Sequence, residues 1–382
     1  MSVKSDGAIG QGSGAGGAEP FTERVSLLVL GKGTVGGSLL GQIERVHERL
    51  RGLHGVDVRV VGAVDSRTAI FDAGGLPPGG VRELLLRARA AEAGATREPL
   101  EASIERMRGL STPVLVDCTA SDGMSKVYAA AFSRGVHVVT ANKKPLAVPW
   151  AERAALFEAR RASRREFRYE TTVGASLPVV ETLRNLVRTG DRVSRIEGSL
   201  SGTLGYLSNE VSLGRRLSVA VREAHARGYT EPHPRDDLGG TDVARKALIF
   251  AREVGIPLEL DDVTVEPFVP QELLEHASVD SFLDALEAHD DVFEQSVRRL
   301  RERGLVLRYL ATVDPATRAA TVGPVAVPLE HPAAGLRGTE ALVSFTTERY
   351  ADYPLVVRGA GAGGEVTAAG VLADVLAIAG AF

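Results

Sequence analysis

The first half of the chain alternates short apolar runs with longer segments in which apolar residues recur at helical spacing. The apolar runs are VSLLVL, VDVRVVGAV, PVLVD and GVHVV. Each has the length of a buried strand and is bounded by turn residues, so we predict strands joined by helices. Residues 68–110 are broken by Gly and Pro and are then rich in Ala, Arg and Glu, so here we expect a loop followed by a helical crossover. The alternation predicts an α/β fold with a doubly wound parallel sheet.

The pattern changes after Arg168. The later segments VRRLRERGLVLRYLATVD, AATVGPVAVPL and ALVSFTTERY read as amphipathic strands, which predicts an α+β region with a mostly antiparallel sheet. The segment RVSRIEGSLSGTLGYLSNEV begins as an alternating strand and breaks into a Ser/Gly-rich loop. The final segment, RGAGAGGEVTAAGVLADVLAIAG, is a glycine loop followed by an apolar helix, which we expect to pack against the first domain.

A glycine-rich turn, GKGTVGG, joins the first predicted strand to the first helix. Gly31, Gly33 and Gly36 have the spacing G-x-G-x-x-G, which allows a tight turn and a close approach of the backbone to a pyrophosphate. Thr34 and Val35 lie at the helix start, where free N–H groups can bind phosphate. The turn therefore predicts a Rossmann-type dinucleotide site.

The second strand is followed by Asp65 and Arg67. An acid here accepts from the ribose 2′-hydroxyl of NAD, whereas an arginine suits the 2′-phosphate of NADP. The sequence has both, so this test is ambiguous; because Arg67 follows the strand end so closely, we expect a preference for NADP(H), with NAD(H) as the alternative. Ligands of open parallel sheets lie at the carboxyl ends of the strands. The candidate residues at two later strand ends are Thr119, Ala120, Ser121, Asn142 and Lys143.

Composition and charge exclude several classes of protein. Of 382 residues, 44% are hydrophobic and 25% charged, as in ordinary globular proteins. The net charge of −4 gives no electrostatic reason to bind nucleic acid or an anionic membrane. Cys118 is the one cysteine, so no intrachain disulfide can form and nothing requires an oxidising compartment. With no long apolar run and no signal-peptide pattern, the sequence predicts a cytoplasmic protein.

The stretch GYTEPHPRDDLGGTDVARK, residues 228–246, has seven formally charged side chains, four of them acids. A predicted helix starts near the end of this stretch. In that helix Asp242 and Lys246 are spaced i, i+4 with the acid first, the favourable order for an ion pair. Helical periodicity places Arg245 and Arg252 on the opposite, solvated side. By pattern alone, this is typical of a surface ion pair.

Several motifs together resemble the homoserine dehydrogenase family. They are GKGTVGG, VDCTAS, VVTANKKPLA, YETTVGASLP, GSLSGTLGY, GYTEPHPRDDLGGTDVARK and GAGAGGEVTAAGVLADV. The family interconverts aspartate 4-semialdehyde and homoserine with NAD(P)H, on the route to threonine and methionine. The resemblance runs from about Val25 to the C-terminus and implies a short form without a C-terminal regulatory module.

The resemblance assigns roles to individual residues. Lys246 matches the family's catalytic lysine and Asp242 the carboxylate beside it. Lys246 and Lys143 are the two candidate proton donors, and the neighbouring Lys144 is less favoured. The implied substrate-binding residues are Glu231, Asp237, Lys246, Gly202 and Thr203, and Gly363 joins the cofactor-binding set. YETTVGASL matches a monovalent-cation site, for Na+ or K+, with the side chain of Glu170 and the carbonyls of Val173, Ala175 and Leu177.

The domain organisation follows from the pattern and the resemblance together. We expect a disordered tail at residues 1–22 and a dinucleotide-binding domain at residues 23–166. A substrate-binding and dimerisation domain should follow at residues 167–358, and a helix at residues 359–382 should return to the first domain. Members of the family commonly form dimers through the second-domain sheet, so a homodimer is implied.

Two other functions compete with this interpretation. An acylating semialdehyde dehydrogenase also has two domains and uses a nicotinamide cofactor, but it needs a thiol nucleophile with a nearby base. Cys118 lies inside a predicted first-domain strand, where a small buried hydrophobe is the simpler interpretation. A catalytically inactive NADP-binding sensor would not need Lys143, Asp242 and Lys246 together.

Overall fold

Strands and helices alternate through the first part of the chain, as the hydrophobic pattern predicts. The computed structural model describes residues 23–91 and 100–380, so the tail expected at residues 1–22 lies outside the described residues. The first sheet has the strand order β3-β2-β1-β4-β5-β6. Its strands are β1 (Glu23–Leu30), β2 (Val56–Val64), β3 (Ala69–Leu76), β4 (Pro113–Asp117), β5 (His137–Thr140) and β6 (Phe167–Arg168). The helices between them are α1 (Thr34–His54), α2 (Val81–Ala91), α3 (Leu100–Arg106), α4 (Met124–Ser133) and α5 (Trp150–Ser163).

Strand β3 corrects the expectation of a loop after residue 68. It pairs antiparallel with β2, with Ala69 opposite Val64, whereas β2, β1, β4, β5 and β6 are parallel to one another. The sheet is therefore mixed. Its edge strand has the sequence AIFDAGGL and no buried residue, so it lacks the continuous apolar run that marks a buried strand.

The second sheet is mostly antiparallel, as predicted, with the strand order β12-β11-β7-β9-β10-β8. Its strands are β7 (Val193–Ser199), β8 (Thr264–Val265), β9 (Leu305–Asp314), β10 (Ala319–Pro328), β11 (Glu340–Thr347) and β12 (Leu355–Ala360). Strands β8 and β10 form its parallel pair. The helices of this region are α6 (Val180–Arg188), α7 (Gly202–Ser212), α8 (Leu217–Ala226), α9 (Arg235–Leu238), α10 (Thr241–Glu253), α11 (Val279–Glu302) and α12 (Gly364–Ile378).

Helix α7 lies where the Ser/Gly-rich loop was expected. The hydroxyl of Ser201 accepts the N–H of Leu204 at 3.1 Å and caps the helix. Leu204, Leu207 and Val211 are buried on one face. Burial of this face stabilises a helix whose serines and glycines favour other conformations.

Helix α12 returns to the first sheet and packs against α1. A Cβ on Gly364 would lie 2.4 Å from Cγ2 of Thr34, so only glycine allows this close approach. Near its other end, Asp374 accepts the backbone N–H of Glu170 at 3.1 Å.

None of the helices in the described ranges has the length and hydropathy needed to cross a bilayer.

Candidate active site

A single carboxylate binds two lysines at the start of α10. Asp242 Oδ2 lies 2.8 Å from Lys246 Nζ, one helical turn away, and Asp242 Oδ1 lies 2.6 Å from Lys143 Nζ. Lys143 comes from the segment that follows β5, so the contact joins the first sheet to α10. Gly240 turns the chain into α10 with φ +76°, and a Cβ there would lie 2.1 Å from the Tyr309 hydroxyl. The residue pair that the pattern placed on a surface therefore forms two members of a three-residue cluster.

The charges of this cluster oppose one another. Partial burial disfavours ionisation of Asp242, but the ammonium groups of Lys246 and Lys143 outweigh it and hold the pKa of the carboxyl well below its usual range. Burial, and then repulsion by Lys246, lower the pKa of Lys143, although Asp242 opposes this. Lys246 also donates to the carbonyl of Leu200 at 2.7 Å. Lys143 therefore releases its proton more readily than an ordinary exposed lysine.

A second group of acids surrounds the start of α7. Asp237 Oδ2 accepts the N–H of Glu231 at 2.7 Å, and Oδ1 lies 3.1 Å from the Thr203 hydroxyl. That hydroxyl also lies 2.6 Å from the carbonyl of Tyr229. Burial raises the pKa of Asp237, and the charges of Glu231 and Asp242 add to the effect. A cationic ligand group here would relieve this repulsion.

A cleft of about 620 Å³ opens at the carboxyl ends of β1, β2 and β4. Gly31 has φ +86°, and a Cβ on Gly36 would lie 2.0 Å from the carbonyl oxygen of Gly31. No side chain caps the start of α1. The bare backbone and the uncapped helix fit a pyrophosphate. The cleft is lined by Leu30, Gly31, Lys32, Gly33, Val64, Asp65, Ser66, Leu100, Cys118, Thr119, Ala120, Ser121 and Met124.

The remaining predicted cofactor residues lie around this cleft. Thr34 and Val35 form the first turn of α1, and Gly363 precedes α12 where that helix contacts α1. Asn142 is buried and donates to the carbonyl of Ser121 at 2.8 Å, which joins two strand ends. Arg67 is exposed and lies outside the lining residues.

Lys32 is a residue of this cleft that the sequence reasoning missed. Its Nζ lies 2.7 Å from Asp65 Oδ2. Asp65 Oδ1 accepts the N–H groups of Arg67 and Thr68 at 2.8 Å each. Burial opposes ionisation of Asp65, but Lys32 and these N–H groups prevail and lower its pKa to about 2. The signal in the sequence was a charged residue between the first two glycines of the turn.

The residues suggested for a monovalent cation lie in the turn before α6. Both oxygens of Glu170 accept backbone N–H groups, from Val180 at 2.7 Å and from Glu181 at 2.8 Å, so this side chain caps α6. Ala175 has φ +56°, and the carbonyl of Leu177 accepts the N–H of Val179 at 2.8 Å. Val173 is fully buried. Within residues 23–91 and 100–380, no group of three His, Cys, Asp or Glu side chains could hold a metal ion.

The thiol of Cys118 lines the dinucleotide cleft. Burial, and then the charge of Asp117, raise its pKa to about 12. Only the thiolate is a good nucleophile, so this cysteine is not activated at neutral pH.

Arg252 corrects the expectation of a solvated face. Its side chain is 0% exposed. The guanidinium donates to the carbonyls of Leu146 at 2.7 Å, Val148 at 2.8 Å and Leu258 at 3.0 Å. Arg252 thus holds the segment after Lys143 to α10, and the periodicity could not predict this because Leu146 and Val148 are distant in sequence.

Comparisons with known proteins match both parts of the chain to one family. The sequence model of homoserine dehydrogenase matches residues 178–376, and that of the homoserine dehydrogenase NAD binding domain matches residues 31–170. The chain is 39% identical to homoserine dehydrogenase of Saccharomyces cerevisiae over 299 residues, covering 76% of this chain and 83% of the yeast enzyme. It is 40% identical over 362 residues to a chloroplastic bifunctional aspartokinase/homoserine dehydrogenase of Zea mays, covering 94% of this chain.

The chain spans about two fifths, 39%, of the length of that maize enzyme. A Candida auris protein of unknown function has the same fold, with a TM-score of 0.83 and 33% identity over 94% of this chain and 99% of that one. Because both sequence models match, and the yeast relative aligns over most of its length, the chain belongs to the homoserine dehydrogenase family.

Proposed function

We propose that the protein catalyses the reversible, NAD(P)H-dependent reduction of L-aspartate 4-semialdehyde to L-homoserine, in the biosynthesis of threonine and methionine. The observation that carries the proposal is the cluster of Lys143, Asp242 and Lys246, in which two ammonium groups share one carboxylate. The cluster joins the segment after β5 to α10, the helix that follows Glu231 and Asp237 along the chain. A dinucleotide cleft and a polar amino-acid site can therefore meet at this cluster.

The cofactor, when bound, supplies the hydride at its nicotinamide C4. Reduction of the aldehyde leaves an alkoxide oxygen that needs a proton. Lys143 Nζ is suited to donate it, because burial and Lys246 lower the pKa of Lys143. Lys246, held by Asp242 and the carbonyl of Leu200, adds positive charge beside the growing negative charge.

The acids near α7 are suited to bind the substrate ammonium. Asp237 is oriented by Thr203 and by the N–H of Glu231, and Gly202 is the first residue of α7, next to Thr203. A homoserine ammonium would offset the burial, and then the repulsion by Glu231 and Asp242, that raise the pKa of Asp237. The proposed roles of Glu231 and Asp237 are therefore recognition rather than proton transfer.

Four finer elements belong to the same proposal and rest on the family resemblance and the sequence. They are the domain boundaries at residues 23–166, 167–358 and 359–382, a cytoplasmic location, a homodimer, and a monovalent cation at the turn of Glu170. The positive φ of Ala175 supports the cation site, because backbone carbonyls in such a turn are not held in the hydrogen bonds of a helix or sheet. Replacing Na+ and K+ by choline at constant ionic strength should lower activity, and light scattering should give the mass of a dimer.

The acylating semialdehyde dehydrogenase is the second candidate, and the Cys118 thiol argues against it. Its raised pKa leaves the sulfur protonated at neutral pH. A nucleotide-binding sensor would not explain why Asp242 binds two lysines.

Substrate selectivity tests the proposal. Purified protein should reduce NADP or NAD in the presence of homoserine and release aspartate 4-semialdehyde. With 4-hydroxybutyrate, which has the same alcohol but no ammonium group, turnover should be far lower, and Asp237→Asn should narrow the difference. Equal turnover of the two alcohols would refute the role of the acids near α7.

A further inference from the structure

The acid that follows β2 is already engaged in this protein. Asp65 Oδ1 accepts two backbone N–H groups, and Oδ2 contacts the ammonium of Lys32 at 2.7 Å. In dinucleotide folds that select NAD, the acid at this position accepts from the ribose hydroxyl. Here the charge that would repel a 2′-phosphate is balanced by a lysine from the glycine turn.

We propose that Lys32 selects NADP(H) over NAD(H), by neutralising Asp65 and by donating to the 2′-phosphate of the cofactor. The inference rests on the proposed function, because it takes the cleft at the glycine turn as the cofactor site. The side chain of Lys32 is 26% exposed and that of Asp65 is 7% exposed, so the ammonium is reachable from the cleft while the carboxylate beneath it is mostly covered.

The position of Lys32 explains why this residue is favoured over Arg67. Lys32 and Ser66 line the cleft, and Arg67 does not. The backbone N–H of Arg67 donates to Asp65, so the contact that Arg67 makes here is a backbone contact within the loop. An NAD ribose would have to compete with the Lys32 ammonium for Asp65, whereas an NADP phosphate brings a charge of its own for the ammonium to bind.

The test compares nucleotide binding in Lys32→Met, Arg67→Ala and the wild type. Fluorescence titration should show that Lys32→Met weakens NADPH binding by roughly 10–100-fold, the usual effect of losing a charged hydrogen bond. NADH binding should not weaken, because NADH has no 2′-phosphate for the lysine to bind and its ribose no longer competes with the lysine for Asp65. Lys126→Met is the matched control, since Lys126 is exposed on α4 and lies outside the cleft lining; it should bind both nucleotides as the wild type does.

Unchanged NADPH affinity in Lys32→Met, or an equal loss for both nucleotides, overturns the proposal. A large loss confined to Arg67→Ala overturns it as well. Competition on the wild-type protein needs no variant: adenosine 2′,5′-bisphosphate should displace NADPH at least about tenfold better than AMP. Tight NADPH binding without homoserine oxidation would refute the proposed function alone, whereas homoserine oxidation without nucleotide discrimination would refute this inference alone.

Discussion

Removing the Arg252 guanidinium should destabilise the junction between the first sheet and α10. In Arg252→Met the side chain keeps its apolar stem but three carbonyls lose their donor. The carbonyl of Leu146 is buried, and an unpaired buried acceptor costs about 1–3 kcal/mol. Water can reach the carbonyls of Val148 and Leu258, so each loses about 0.5–1 kcal/mol. The free energy of unfolding should therefore fall by about 2–5 kcal/mol.

Urea denaturation with two probes measures this loss. Circular dichroism reports the whole fold, while the fluorescence of Trp150, the one tryptophan in the chain, reports the junction, because Arg252 Cζ lies 5.7 Å from the centre of its ring. Arg298→Met is the matched control: Arg298 is 64% exposed and pairs with Glu294 within α11, so its loss should be under about 0.5 kcal/mol. If the free energy of unfolding of Arg252→Met falls no more than that of the control, the buried guanidinium does not hold the Lys143 segment to α10.

Three further predictions concern the site. Lys143→Ala should lower turnover roughly 10²–10⁴-fold with little change in NADPH affinity. Its effect should not add to that of Lys246→Ala, and Asp242→Asn should lower turnover less than either lysine variant. Turnover assays and NADPH titrations of all variants test this. Iodoacetamide at neutral pH should leave activity intact, and Cys118→Ser should remain active; inactivation that substrate prevents would contradict the protonated thiol. Asp65 has a folded pKa of about 2, below its unfolded value, so its carboxylate stabilises the fold above about pH 4 and stabilises it less as the pH falls towards 2. Asp65→Asn should therefore lower the free energy of unfolding, measured in urea, by about 1–2 kcal/mol at pH 7 and by less at pH 3. A loss of the same size at both pH values would refute the assignment.

The sequence predicted the parts of the site that are local. The spacing of Gly31, Gly33 and Gly36 depends on a tight turn within a few residues, and the structure confirms the turn and the cleft. Asp242 and Lys246 are one helical turn apart, so periodicity alone predicts their contact. The mostly antiparallel character of the second sheet also followed from alternation along each strand.

The parts that failed depend on contacts between distant residues. Arg252 has the periodicity of a solvated position, and only the packing of residues 146–148 against α10 buries it. The contact of Lys143 with Asp242 joins two regions whose meeting no periodicity encodes. Strand β3 has no buried residue, so its pairing with β2 left no apolar signal. The Lys32–Asp65 ion pair likewise needs β1 and β2 to be adjacent.

Homoserine oxidation by the wild type and by Lys246→Ala tests the central claim most directly, namely that the lysines sharing Asp242 perform the chemistry. The wild type should form NADPH or NADH only when homoserine is added. The Lys246→Ala variant, with unchanged NADPH affinity by fluorescence titration, should turn over roughly 10²–10⁴-fold more slowly. Near-normal turnover in Lys246→Ala would contradict the account and leave Asp242 and Lys246 as an ordinary helical ion pair.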